Sequence, residues 1–139
     1  MFHRRYYLSV NDTKLGWALA NQNLEDYDSM CKKIMDLDSK IRFVGVINER
    51  GKLLAGGLRE GLKSLEDKKD DEMLFTEVAL RARMRKEFDT QLGKVRFAMS
   101  VRDKVIIMSF PIADRDILYV SANIDVDYGK IPKMILEML

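Results

Sequence analysis

The sequence predicts an α+β domain: a five-stranded antiparallel sheet with helices on both faces, in the order α-β-β-α-β-β-β-α. Three observations carry that prediction. Apolar residues switch from three- and four-residue spacing to alternation and back as the chain is followed. The segments between neighbouring strands, "NERG", "RDK" and "ADRD", are short, which makes those neighbours antiparallel. The run "VIIMSFPI" is almost continuously apolar, as a strand covered on both faces must be.

Residues 1–22 follow no clear period and are read as an N-terminal extension to a domain spanning 23–139. Asn23 with Asp26 resembles an N-cap, and Leu24, Tyr27, Cys31, Ile34 and Leu37 then form one apolar stripe, so a helix is expected from Leu24 to Asp38. Ile41 to Ile47 is β-branched and aromatic, and Lys52 to Gly57 forms a second strand. Asn48 suits the start of the turn between them, and Gly51 suits its left-handed close.

"KSLEDKKDDE" reads as a solvated linker, followed by a helix over residues 71–91. Its core-facing stripe is expected to be Met73, Glu77, Leu80, Met84 and Phe88, widened by Leu74 and Val78. Three strands follow: Val95 to Val101, Val105 to Ile112, and a third alternating through Leu118, Val120, Ala122, Ile124 and Val126. Phe97 and Val120 are expected between sheet and helices. A last helix runs from Gly129 to Leu139, with Pro132 in its first turn, where proline is tolerated.

Apolar residues make up 47% of the 139 residues, enough for a core, and charged residues 33%. The net charge of +2 supplies no global field for nucleic acid or an anionic membrane. No apolar run approaches the roughly 20 residues of a membrane helix, and "YYLSV" is too short for the apolar part of a signal peptide, so a cytoplasmic protein is expected. One cysteine, Cys31, excludes an internal disulfide and a paired-cysteine zinc site. The single histidine, His3, lies far upstream in sequence, so Cys31 reads as a small buried thiol.

Four groups of residues invite a chemical reading. Gly56, Gly61, Lys63 and Ser64 nearly spell a phosphate loop, but Leu62 separates the second glycine from the lysine and no helix starts there. The stretch reads as a hairpin and its exit. Asp114, Asp116, Asp125 and Asp127 lack the loop spacing of a calcium site; the first two fit a turn, Asp127 fits a helix cap, and Asp125 points outward. Arg81, Arg83, Arg85 and Lys86 follow the dipole of their helix. "FHRRYY" interleaves bases with aromatics as single-strand binders do, but it is too short to outweigh the absence of a basic surface. No catalytic, metal or cofactor-binding residue is assigned.

The hairpin "FVGVINERGKLLAGG", with an apolar first strand, a polar turn ending in glycine and a second strand ending in small residues, resembles the roadblock / dynein light-chain family, whose layout profilin-like domains share in part. "LDSKIRFVGVINERGKLLAGGLREG" is also similar to a group of small archaeal proteins of that topology. The resemblance covers Leu24 to Leu139. It implies a non-enzymatic, homodimeric module that scaffolds complexes or docks on a small Ras-like GTPase, and it carries no catalytic residue. In that topology the third strand lies at the sheet edge, long and without proline or inward charge, a template for pairing. The implied dimer interface comprises Val95, Phe97, Ala98, Met99 and Val101, joined by Leu74, Val78 and Arg81 of the long helix. A reading from a different class is a small-molecule sensor with a cavity between sheet and helices.

Overall fold

The computed structural model describes residues 14–139 except Asp114, with side chains from residue 23 onward. The element order is α1 (Lys14–Met35), β1 (Ile41–Ile47), β2 (Leu53–Leu58), α2 (Lys68–Lys86), α3 (Asp89–Leu92), β3 (Ala98–Val101), β4 (Val105–Pro111), β5 (Ile117–Asn123) and α4 (Ile131–Met138). The five strands form one antiparallel sheet in the order β2-β1-β5-β4-β3. The predicted fold class is therefore the observed one, with one added turn of helix, α3.

Alternation along the central strands sorts the core into two layers. Val44 and Val46 of β1, Ile106, Met108 and Phe110 of β4, and Leu118, Val120 and Ala122 of β5 pack on one face against Tyr27, Cys31 and Ile34 of α1 and Ile131 and Ile135 of α4. The opposite face carries Ile107, Ile117 and Tyr119, covered by Phe75 and Ala79 of α2. Val120 is fully buried, as expected. Phe97 is partly buried, its ring stacked on Phe110 at 5.6 Å.

Several boundaries differ from the sequence reading. The first helix does not start at an Asn23 cap: α1 extends back to Lys14, and Asn23 is a buried residue within it. The remaining thirteen residues of the expected extension, with His3 and "FHRRYY", lie outside the described residues. The long helix starts three residues early because the Asp67 side chain accepts the Asp70 N–H at 2.8 Å and caps it. It ends at Lys86, and α3 follows as a separate turn. The expected strand from Val95 shrinks to Ala98–Val101. Ala98 pairs with Ser109, so the same register would set Arg96 opposite Pro111, which has no N–H to give a ladder.

The first hairpin forms as its residues dictate. Asn48 Oδ1 accepts the N–H groups of Arg50 and Lys52, and the Gly51 N–H donates to the Asn48 carbonyl at 2.9 Å. Arg59, just past β2, closes the end of α1: its guanidinium donates to the carbonyls of Met35 at 2.7 Å, Asp38 at 2.8 Å and Ile41 at 2.7 Å. The Met35 carbonyl is one that a helix end leaves without a partner, and a cation there suits the negative end of the helix dipole.

Candidate interaction surface

Helix α2 rests on the sheet through its small side chains. Ala79 is buried and Ala82 partly so, while Phe75 inserts beside Phe43 and Tyr119. Seating the helix on this stripe turns the expected one away from the sheet. Met73, Leu80, Met84 and Phe88 are exposed by 62%, 47%, 60% and 58%, so their assignment to the core is corrected. Leu74 and Val78 are partly buried beneath the helix. Glu77 and Arg81, one turn apart on the outer face, pair at 3.7 Å.

β3 is an end strand of the sheet, so one of its edges is free. Met99 and Val101 are exposed on it and Ala98 is partly buried. Val95 and Phe97, partly buried, precede the strand rather than belonging to it. The expected interface residues thus divide. Met99, Val101 and Arg81 are at the surface; Phe97, Leu74 and Val78 turn inward. The apolar side chains that α2 and the residues just past it leave at the surface are Met73, Leu80, Met84 and Phe88. The sequence signal for this surface was present, since the stripe repeats at helical spacing, but spacing does not say which of two stripes meets the sheet.

The other chemical candidates resolve into structural roles. Gly56 sits inside β2 and Gly61 in the turn after it; the Lys63 carbonyl accepts from Arg42, and the next helix starts only at Lys68. Asp116 is not a surface turn residue: it is buried and accepts the Tyr27 hydroxyl at 2.7 Å, tying α1 to the start of β5. Asp125 is exposed and pairs with Lys40 at 3.4 Å. Asp127 Oδ1 accepts the N–H groups of Gly129 and Lys130 and so shapes the turn into α4. Asp114 lies outside the described residues. No group of metal-ligating side chains is found among the described residues. Burial, with the charge of Asp28 added, pushes the Cys31 thiol up to about 12, so it is an inert core group at neutral pH. No described helix is long and apolar enough to cross a membrane.

Residues 19–139 match the model of a family described as "Family of unknown function (DUF6659)". No curated protein matches the chain. Among solved structures, the fold is similar to a Roadblock/LC7 domain from Streptomyces avermitilis, with 12% identity, a TM-score of 0.60, and coverage of 79% of this chain and 91% of that one. It is similar to the gliding protein MglB from Thermus thermophilus, with 15% identity, a TM-score of 0.67, and coverage of 84% and 87%. A structure described as "MglB with tetrameric arrangement" has 11% identity, a TM-score of 0.60, and coverage of 83% and 88%. At such identities what is shared is the fold. The chain has the roadblock fold and belongs to the family of unknown function DUF6659.

Proposed function

We propose that this chain is a non-enzymatic regulatory module that acts as a homodimer, scaffolding a complex or docking on a small GTPase. The observations that carry the reading are the outward stripe Met73, Leu80 and Met84 on α2, with Phe88 just past its end, and the open edge of β3 with Met99 and Val101. Apolar side chains in one contiguous area mark a contact surface. The unpaired edge of β3 offers a ladder of backbone groups to a second strand. A two-fold axis satisfies both at once, because it brings β3 against β3 and α2 against α2. A related fold that assembles as a tetramer in MglB supports self-association. The GTPase partner follows from the roadblock resemblance of the first hairpin.

Sedimentation tests the reading. The parent protein is expected to run as a dimer at micromolar concentration. Met84→Glu, on an exposed position, is expected to keep the fold and shift the protein to monomer. A Ras-like GTPase in its GTP form is expected to sediment with the dimer. A parent that runs as a monomer throughout would remove the homodimer from the proposal.

A further inference from the structure

A cavity of about 400 Å³ opens at the start of α2, between that helix, the linker before it, β1, β5 and the β3–β4 turn. Its volume falls in the range of small-molecule sites. Three aromatic rings form its floor. Phe75 meets Tyr119 edge-on at 5.0 Å, Phe43 meets Tyr119 edge-on at 5.7 Å, and Phe43 lies 5.6 Å from Phe75. Leu58, Leu65 and Leu74 extend the apolar wall.

Tyr119 is only 3% exposed, yet its hydroxyl has no hydrogen-bond partner among the described residues. Every fully buried polar side-chain atom described does have one. The phenol oxygen is therefore the part of Tyr119 that reaches the cavity. A tyrosine buried on its ring and open at its hydroxyl presents one polar group to whatever fills the cavity. Burial, and then the charges of Glu66 and Asp71, push this phenol far above its ordinary value, so it stays a neutral hydroxyl.

The polar side of the cavity is a carboxyl pair. Glu66 stands within hydrogen-bonding reach of Asp71, and both are partly buried. Burial, then the hydrogen bond and charge of Glu66, hold Asp71 up to about 7; Ser64 opposes this and Asp67 adds to it. Cations are also present, but they are placed differently. Arg42 is committed to Asn123 Oδ1 at 3.2 Å and to the Lys63 carbonyl at 3.1 Å. Arg102 and Lys104 are exposed at the rim, with Asp103 between them. Two adjacent carboxyls on an aromatic floor favour a cation, which relieves their repulsion.

We propose that this cavity binds a small molecule with an apolar or aromatic body and a protonated primary amine. The three N–H donors of such an ammonium match the carboxylates of Glu66 and Asp71 and the oxygen of Tyr119. The inference goes beyond the dimer reading and does not depend on it, because the cavity lies within one chain.

Calorimetry with phenethylamine as the probe tests it, with phenylpropionate and phenethyl alcohol as matched anionic and neutral controls. Phenethylamine is expected to bind at least about tenfold more tightly than either control, the usual worth of a hydrogen bond to a charged group. Its affinity is expected to rise between about pH 6 and pH 8, as the proton leaves Asp71. Asp71→Asn should remove that pH dependence and weaken binding about tenfold, while Tyr119→Phe should weaken it about fivefold and keep the pH dependence. Phenylpropionate binding as tightly as phenethylamine, or no phenethylamine binding up to millimolar concentration, would overturn the proposal. So would unchanged affinity in an Asp71→Asn protein whose melting curve shows it folded. Sedimentation of the same samples reports on the dimer separately.

Discussion

Gly56 shows how tightly a single residue can bind two elements. It lies within β2 at φ 84°, a left-handed conformation that a side chain strains. A Cβ there would stand 2.1 Å from the Val44 carbonyl oxygen and 3.0 Å from Cys31 Sγ, while the Gly56 N–H donates to Asp28 at 3.2 Å. The strand therefore passes under α1 only because this position has no side chain. Gly56→Ala is expected to lose at least about 2 kcal/mol of stability, read by urea denaturation. Asp71 gives a second test. Its folded pKa is raised, so the folded chain holds this proton more tightly than the unfolded chain. Its contribution is present at low pH and is lost as pH rises from the unfolded carboxylate value, about 4, toward about 7. The melting temperature is expected to fall across that window, and Asp71→Asn is expected to flatten the fall. An unchanged slope in the variant would assign the pH dependence to another group.

Among the elements, α2 is the informative case. Its sequence holds two apolar stripes at helical spacing, one through Phe75, Val78, Ala79 and Ala82, the other through Met73, Leu80 and Met84 and continued by Phe88 just past its end. By side-chain size the second is the stronger, and the sheet takes the first. The ring cluster explains the choice: Phe75 joins Phe43 and Tyr119 on the sheet, and Ala79 is buried beside it. Ala79→Leu is expected to cost about 1–3 kcal/mol by overpacking; were α2 seated on the methionine stripe, the same change would face solvent and be silent. The first hairpin, by contrast, was readable residue by residue, because Asn48 and Gly51 act through local backbone geometry. So were β4 and β5, whose apolar content leaves few alternatives to a covered sheet.

Across the molecule, the proposed dimer makes stability depend on concentration. The melting temperature of the parent is expected to rise with protein concentration, and that of Met84→Glu is not. Element order, antiparallel pairing and the lack of an internal disulfide were legible in the chain, because periodicity, short connections and cysteine count need no knowledge of distant contacts. Long-range packing settled which face of α2 is free, where β3 stops, and that Arg59 closes α1. Each of these depends on a partner far away in the chain: the ring cluster under α2, Pro111 across from Arg96, the carbonyls of Met35 and Asp38 beyond β2. Glu66, Asp71 and Tyr119 belong with them. They come from a linker, a helix and a strand, and only the folding of α2 over the sheet brings two carboxyls and a buried hydroxyl to one cavity.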